Sequence, residues 1–257
     1  MSARRAGAVA VLIATVGALA LAIGGCSLTP FPVPADPPPT AADQGAALFE
    51  SPALSTNSFN TYTCATCHGP DAPSASSPLR PGAPLAGVVD RPTYWGGTEI
   101  DLLRAVNHCL MYFMLQDEPW TGTEPEAVQL YAYLESLSES AAATSEPAPF
   151  TIVKLPVDLP NGDATRGQAT YDRACASCHG ALHTGDAKLV DHAPTLPEDV
   201  LASHPAPDFT EEQRRLAFVF KIRHGGFMGN QGQMPPFSTE LLGDADVSDL
   251  LALFFSP

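Results

Sequence analysis

Two short stretches of the sequence concentrate residue types that bind metals. Residues 64–68 are Cys-Ala-Thr-Cys-His, and residues 175–179 are Cys-Ala-Ser-Cys-His. Two cysteines followed directly by a histidine form the pattern that covalent attachment of a c-type haem requires. The cysteines bond to the two haem vinyl groups, and the histidine supplies the proximal nitrogen to iron. The repeated pattern therefore predicts two covalently attached haem c groups, each with its iron.

The predicted attachment residues are Cys64, Cys67 and His68 for the first haem, and Cys175, Cys178 and His179 for the second. Cysteines with this spacing also occur in redox dithiols and in zinc ribbons. A dithiol motif does not require the histidine that follows. A zinc site built from both pairs would leave both histidines without a role, whereas haem attachment explains all six residues.

Residues 1–25 have the pattern of an export signal. Arg4 and Arg5 precede an apolar run that ends at Ile23, and two glycines then precede Cys26. This junction resembles the lipobox of bacterial lipoproteins, which implies a signal peptide over residues 1–25 and lipidation of Cys26. An uncleaved membrane anchor is the alternative, because about 18 apolar residues can just span a bilayer. By resemblance to Gram-negative lipoproteins, Ser27 favours sorting to the outer membrane, facing the periplasm.

Proline-rich stretches divide the rest of the chain. The prolines of residues 26–43 exclude a helix or a central strand there and predict a stiff, extended tether. A second stretch, residues 139–162, is predicted to be a linker. Two segments lie between and after these stretches, residues 44–138 and residues 163–257, and they are the two predicted domains.

The two segments share one plan. Residues 45–49 and 167–171 both follow the pattern Gly-x-Ala-x-aromatic and predict a short helix before each cysteine motif. The first cysteine comes 15 residues after the aromatic in the first segment and 4 residues after it in the second. The first segment therefore carries an insertion near residues 50–61, which we expect to be a surface loop.

Each segment also ends in a predicted amphipathic helix. In the first, Thr123 and Glu126 have the spacing of a capping box. In the second, Asp244 is the predicted cap. The predicted apolar faces have helical spacing and comprise Ala127, Leu130, Tyr131, Leu134 and Leu137 in the first helix, and Val247, Leu250, Leu251 and Phe254 in the second.

The order of helix, cysteine motif, loop, helix, loop and terminal helix resembles that of class I cytochrome c domains. The resemblance covers both segments, and the whole chain resembles a di-haem c-type cytochrome lipoprotein. It implies an all-α fold with two tandem domains, each of which wraps one covalent haem between its first and last helices. Such small domains have little core of their own, so folding is expected to depend on haem attachment.

The second haem has a clear candidate for its sixth iron ligand. Residues 232–237, Gly-Gln-Met-Pro-Pro-Phe, resemble the axial-methionine loop of class I cytochromes, which implies that Met234 binds the second iron. Met228 is a weaker candidate. The other histidines of this segment could make the haem bis-histidine, but their polar, turn-rich surroundings predict surface exposure for His183, His192, His204 and His224.

The sixth ligand of the first haem has competing candidates. Met114 lies 14 residues before Val128, and Met234 lies 13 residues before Val247, so the register favours Met114. Residues 105–110 are similar to the helix that supplies an axial cysteine in thiosulfate dehydrogenases and sulfur-oxidation cytochromes, which makes Cys109 the alternative. A thiolate would lower the haem potential relative to methionine. Met111 and His108 are further candidates.

Two arginines and two tryptophans of the first segment lie near these candidates in the sequence. Arg91 and Arg104 are the nearby cations, and isolated arginines are expected to be solvated. Trp95 and Trp120 are predicted to pack against the first haem, to close its pocket, or to contact a partner.

The composition is acidic, with 13 Lys and Arg against 28 Asp and Glu and a formal net charge of −15. This charge repels nucleic acid, and any redox protein partner that is steered by charge is expected to carry a basic docking patch. Acidity that only maintains solubility is the alternative.

Together these features predict a periplasm-facing, membrane-anchored di-haem cytochrome c that transfers single electrons between redox partners. The alternative is a di-haem dehydrogenase or oxidase of a small sulfur compound, or a peroxidase, with its active site at the first haem. A non-enzymatic subunit of a larger oxidase or reductase is a third interpretation.

We expect Cys64→Ala or Cys178→Ala to give protein that accumulates poorly, because each change removes a haem attachment bond and the haem is the largest apolar part of its domain. Protein levels and circular dichroism measure this effect. Wild-type levels of a variant that is still folded would contradict the prediction.

Overall fold

The computed structural model describes residues 37–140, 143–153, 159–227 and 232–256. Within these ranges the chain is helical and contains no strand, only an isolated antiparallel bridge between Tyr94 and Glu99. The helices are α1 (Ala41–Phe49), α2 (Cys64–Cys67), α3 (Leu102–Tyr112), α4 (Pro125–Ser136), α5 (Ala164–Ala174), α6 (Ala176–His179), α7 (Glu198–Ser203), α8 (Glu211–His224) and α9 (Asp244–Phe254). The prediction of an all-α fold is confirmed.

Several predicted features lie outside the described residues. They are the signal peptide, Cys26, residues 26–36 of the tether and Met228. The exclusion of a helix over residues 26–43 is wrong at its end, because α1 begins at Ala41, two residues after the last proline of the tether. In the part of the chain that is described, no helix is long and apolar enough to cross a membrane. Residues from Pro39 onward cluster into one unit, and the division into two domains stays a prediction.

The first half of the described chain contains helices α1–α4, and the second half contains helices α5–α9. The first and last helices of each half cross at a glycine. Helix α1 packs on α4, and α5 packs on α9. A Cβ atom on Gly45 would collide with the backbone of Gln129, and a Cβ atom on Gly167 would collide with the backbone of Asp249. Gly45 and Gly167, which the repeat pattern aligns, therefore have the same structural role. Each allows two helix backbones to approach closely.

A polar pair beside each glycine holds the crossing with different chemistry. In the first half, Gln129 Nε2 donates to Gln44 Oε1 at 2.6 Å. In the second half, Arg166 donates through Nε and Nη2 to the two carboxylate oxygens of Asp249, both at 2.7 Å. The bidentate ion pair is the stronger and more directional of the two contacts.

Both predicted helix caps are wrong in detail. Helix α4 begins at Pro125 with Glu124 as its N-cap, so Thr123 lies outside the helix. Proline suits the first position because no backbone donor is needed there. At α9 the N-cap is Gly243, whose N–H donates to Asp246 at 2.9 Å. Asp244 is the first helical residue instead, and it pairs with the buried Arg223 at 2.6 Å.

The apolar faces of the two terminal helices enter two hydrophobic clusters. Leu130 and Leu134 are buried in the first-half cluster, and Val247 and Leu250 are buried in the second-half cluster. Among the other predicted face residues, Ala127, Leu251 and Phe254 are buried and Tyr131 and Leu137 are partly buried.

The insertion near residues 50–61 is not a simple surface loop. Leu54 is buried in the first-half cluster, although Phe59 is exposed. The Asn60 side chain donates to the carbonyls of Pro52 and Tyr62 at 2.8 and 2.9 Å and accepts the Tyr62 N–H at 3.0 Å. These bonds fold the insertion back on itself and fix the chain just before the first cysteine motif.

Hydrogen bonds join the two halves away from the helix crossings. Arg173 of α5 donates to the carbonyls of Ser77 and Ser74, both at 3.0 Å. The N–H of Leu79 in turn donates to the carbonyl of Arg173 at 2.8 Å. The loop that follows the first cysteine motif is therefore attached to the helix that precedes the second.

We expect Gly45→Ala and Gly167→Ala each to lower the free energy of unfolding by about 1–3 kcal/mol, because the new methyl group must push two helix backbones apart. Chemical denaturation of the haem-loaded protein measures the change. Gly243→Ala is the control, since its φ of −68° suits alanine and the nearest atom to a new Cβ would lie 3.4 Å away. Equal stability of all three variants would contradict the crossing geometry.

We expect the second half to lose stability as the pH falls through the ordinary aspartate range. The hydrogen bond from Arg166 holds the pKa of Asp249 below its usual value, so this contribution is present above that value and is lost as the carboxylate becomes protonated. Unfolding measured from pH 6 to 3 should show a smaller loss in Asp249→Asn and in Arg166→Gln. A wild-type pH dependence in both variants would contradict this account.

Candidate functional site

The first cysteine motif forms a single capped helical turn. Helix α2 contains both cysteines, and the Thr63 and Thr66 side chains form a capping box at its start. Residues three apart on a helix lie on the same side. The turn therefore presents the thiols of Cys64 and Cys67 together, with His68 directly after them.

The imidazole of His68 is fixed by a backbone carbonyl. Its Nδ1 lies 2.8 Å from the oxygen of Ala83, so Nδ1–H donates and Nε2 is left free to bind a metal. Metal-binding histidines are oriented in this way by a partner on the other ring nitrogen. Gly82 allows the approach, because a Cβ atom there would collide with the His68 ring. Burial lowers the pKa of His68, which favours the neutral form that binds metal.

The second motif repeats this geometry. Cys175 caps the end of α5, and Cys178 and His179 lie in α6. His179 Nδ1 lies 2.9 Å from the carbonyl oxygen of Pro194. In both halves the carbonyl belongs to the residue 15 positions after the histidine. Both histidine motifs thus have the arrangement of a proximal haem ligand.

The carbonyl partners were missed by sequence reasoning, although a signal was available. An Ala-Pro dipeptide occurs close to the same spacing in both halves, at residues 83–84 and 193–194. Proline restricts the backbone and lacks an N–H, so it favours an extended loop that can present a carbonyl.

A cavity in the first half brings the predicted site residues together. It holds about 1250 Å³ of empty space, counting the part open to solvent, and its lining is mainly apolar. Cys64, Cys67 and His68 line it, and so do Cys109 and Met114. Two thiols for attachment, one free imidazole nitrogen, further sulfur atoms and apolar walls fit a covalent haem. In the described residues, the cavity included, no group of three His, Cys, Asp or Glu side chains is placed to hold a metal ion directly.

The structure separates the candidates for the sixth ligand of the first haem. Met114 is 4% exposed and, like Cys109, lines the cavity. Burial raises the pKa of Cys109 to about 12. Met111 is 40% exposed and does not line the cavity. His108 also lies outside the lining and packs on Trp95 and Tyr112. Met114 and Cys109 stay the two candidates.

An aromatic group covers one side of this cavity. Trp95 lines the cavity and stacks on Phe113 with ring centroids 6.2 Å apart and planes 6° apart. Its Nε1 donates to the carbonyl of Ala105 at 3.3 Å. Trp120 does not line the cavity, and its backbone N–H donates to Asn107 at 2.8 Å. Of the two tryptophans, Trp95 is the one placed at the first site.

The expectation that Arg91 is a solvated surface residue is wrong. Its side chain lines the cavity, and the residue is 7% exposed. Arg104, in contrast, is exposed and pairs with Glu99 at 3.2 Å.

The second half contributes to the first cavity. Pro235 and Pro236, which follow the predicted ligand Met234, line the cavity. Gln233 Nε2 donates to the carbonyl of Phe113 at 2.8 Å, next to Met114. Phe227 also packs edge-on against Trp95 and Phe113, with ring centroids 6.2 and 5.8 Å away. The loop predicted to serve the second haem therefore also closes the first site.

Met234 itself is partly buried and packs against the second-half cluster that contains Cys175. The N–H of Gly226 donates to the carbonyl of Met234 at 2.8 Å, which ties both ends of the loop together. Gly225 has a φ of +59°, and a Cβ atom there would collide with this carbonyl. The geometry places Met234 and Cys175 at one core.

One of the four histidines predicted to lie on the surface is buried. His224 is 4% exposed, and its Nε2 donates to the carbonyl of Val153 at 2.6 Å. The predicted linker fixes this imidazole because residues 151–153 run along the second half. His183 and His192 are exposed as predicted, and His204 is partly buried.

The second attachment motif borders the first-half core. Cys178 packs against the first-half cluster that contains the buried Tyr62, and Val190 belongs to that same cluster. The phenol of Tyr62 has its pKa raised chiefly by burial, with smaller contributions from Cys178 and Cys67. A cysteine of each motif, Cys64 and Cys178, therefore packs against the cluster that contains Tyr62.

Comparisons with known proteins agree with this geometry in the second half. Residues 162–253 match the model of the family described as cytochrome c oxidase, cbb3-type, subunit III. This match supports a cytochrome c domain in this part of the chain. Such a domain implies covalently bound haem c with iron and a role in electron transfer.

Among solved structures, the chain is similar to thiosulfate dehydrogenase (TsdBA) from Marichromatium purpuratum in its as-isolated form. The identity is 22%, the TM-score is 0.33, and the match covers 58% of this chain and 34% of that one. The chain thus spans about a third of the length of that protein. No curated protein matches the chain.

Proposed function

We propose that the protein is a di-haem cytochrome c that transfers single electrons between redox partners. The observation that carries the proposal is the repeated proximal arrangement. In each half a cysteine motif is followed by a buried or partly buried histidine, and its Nδ1 is held by a carbonyl 15 residues later. The cytochrome c domain at residues 162–253 supports the same chemistry for the second half.

When bound, haem iron supplies the one-electron chemistry, and the chain supplies attachment, orientation and exclusion of water. Cys64 and Cys67 would hold the first haem, and His68 would present Nε2 to its iron. Cys175, Cys178 and His179 would do the same for the second. The mainly apolar lining of the first cavity limits the access of water and so helps to set the potential.

Contacts between the halves support transfer from one haem to the other. Cys178 packs against the core that includes Tyr62, and Pro235 and Pro236 line the first cavity. We infer that electrons enter at one haem and leave at the other.

The proposed location is the periplasmic face of a membrane, with the outer membrane favoured. The proposal includes cleavage before Cys26, lipidation of its thiol and a tether of residues 26–43. The acidic composition supports redox partners with basic docking patches, because opposite charges steer association.

For the sixth ligands, we propose Met234 at the second haem and Met114 at the first, with Cys109 as the alternative at the first. Different sulfur ligands would make the two potentials unequal and the transfer directional.

A reductive titration of the purified protein tests this function, with ligand spectroscopy at each step. We expect two reversible one-electron waves and a methionine–iron charge-transfer band. Met114→Leu should remove the first-haem part of that band, whereas Cys109→Ala should leave it intact. Met111→Leu is the matched control, since Met111 is exposed and lies outside the cavity.

The outcome separates the possibilities. If Cys109→Ala changes the first haem and Met114→Leu does not, then Cys109 is the ligand. Haems that cannot be reduced and reoxidised reversibly would contradict the proposed electron transfer.

The second candidate function is an enzyme that oxidises a small sulfur compound at the first haem, or a peroxidase. The observation that favours it is the position of the Cys109 thiol in the lining of the first cavity. Turnover with thiosulfate or peroxide that is abolished by Cys109→Ala, but not by Met111→Leu, would favour this function. Absence of turnover in the wild-type protein would exclude these substrates.

A further inference from the structure

The predicted linker forms part of the wall of the first cavity. The stretch concerned is residues 144–153, which we call the strap. Ala148 and Phe150 of the strap line the cavity together with Cys64 and Cys67. Residues 144–153 contain no helix or strand, so the position of the strap depends on its contacts with other segments.

The sequence of the strap explains why two of its side chains face the cavity. A proline restricts the residue before it to an extended backbone, and side chains alternate between the two sides of an extended chain. Ala148 and Phe150 line the cavity and are partly buried, whereas Pro147, Pro149 and Thr151 are exposed. The two prolines therefore favour a backbone that turns the large Phe150 ring toward the cavity.

The first half of the protein holds the start of the strap. Arg91 Nε donates to the carbonyl of Thr144 at 3.4 Å, and the N–H of Thr144 donates to the carbonyl of Ala86 at 3.5 Å. Gly87 allows this approach, because its φ is +72° and a Cβ atom there would collide with the backbone of Thr144. The strap thus begins against the loop that precedes α3.

The second half of the protein holds the end of the strap. The N–H of Thr151 donates to Glu240 Oε2 at 3.0 Å, and the Thr151 hydroxyl donates to Glu240 Oε1. The N–H of Thr239 donates to the carbonyl of Thr151 at 3.2 Å, and His224 Nε2 donates to the carbonyl of Val153 at 2.6 Å. The residues that face the cavity therefore lie between two anchors, one in each half.

Phe150 borders the part of the cavity where the candidate sixth ligands lie. Its ring packs edge-on against Trp95, with centroids 6.0 Å apart and planes at 83°. A Cβ atom on Gly96 would collide with the carbonyl of Phe150, so the backbones of the two segments are also in close contact. Trp95 in turn stacks on Phe113, the residue before Met114.

We infer that Phe150 selects by size the external ligands that reach the iron of the first haem, and that the strap holds this ring in a closed position. An apolar ring over an apolar cavity offers no hydrogen bond to an incoming molecule, so entry requires the strap to move. Closure of this kind shields a site from water and from external ligands. The inference rests on the proposed function, since it requires a haem at Cys64 and Cys67.

The size of the effect follows from the population of the open strap. Minor states of proteins are populated at roughly 0.1–10%, and the apparent affinity of a ligand that binds only the open state falls in proportion to the open fraction. Removal of the Phe150 ring should therefore raise the apparent affinity of an external ligand by about tenfold or more. The gain should be larger for a bulky ligand than for a narrow one, because a narrow ligand needs a smaller opening.

Titration of the full, haem-loaded ferric protein with imidazole and with cyanide, followed by the optical spectrum, tests the inference. We expect Phe150→Ala to tighten the binding of imidazole more than that of cyanide, with saturation at one ligand per chain. Glu240→Ala should give a smaller gain, because it removes the carboxylate that holds Thr151.

Two control variants should bind both ligands as the wild type does. Phe59→Ala removes the same ring from a position of the first half that is 79% exposed. Glu146→Ala removes an exposed carboxylate from the strap itself and leaves both anchors in place.

Affinities are compared only for variants with two haems per chain, so a failure of haem attachment would count against the proposed function and not against Phe150. If Phe150→Ala does not accumulate, Phe150→Leu and Glu240→Ala decide. Wild-type affinities in these variants would overturn the inference. So would an equal gain in Phe59→Ala, an equal gain for the two ligands, or a gain at both haems, because each of these results would indicate general loosening of the fold.

Discussion

The hydrogen bond between a buried imidazole and a backbone carbonyl is the constraint on which each site depends. Without it, the histidine after the second cysteine could rotate, and neither nitrogen would be reserved for iron. The bond from His68 to Ala83 needs Gly82, whose missing side chain makes room for the ring. The bond from His179 to Pro194 lies in the loop after α6.

The features that depend on local sequence pattern are predictable from the sequence. The cysteine motifs, the helical fold and the apolar faces of α4 and α9 follow from spacing, because side chains three or four apart share a helix face. Gly45 and Gly167 were aligned by the repeat, and the structure adds the physical reason, which is the close approach of two helices. The domain boundaries and the sixth ligands stay predictions.

The remaining features depend on contacts between distant segments, which no local pattern contains. His224 and Arg91 are predicted on the surface, but both are buried. Each side chain donates a hydrogen bond to a carbonyl of the predicted linker, His224 to Val153 and Arg91 to Thr144. Gln233 bonds to Phe113 although the two residues lie in different halves. The caps of α4 and α9 also differ from the prediction. Pro125 takes the first position of α4, and Asp244 pairs with Arg223 instead of capping α9. Each miss reflects tertiary structure overriding a local preference.

The measurement that tests the central claim most directly is the haem-to-polypeptide ratio of the purified protein, taken together with its optical spectrum. The account predicts two covalent haems per chain, each reducible, with a methionine–iron charge-transfer band. One haem per chain, or zinc in place of iron at the cysteine motifs, would contradict it, because the two halves share one proximal geometry.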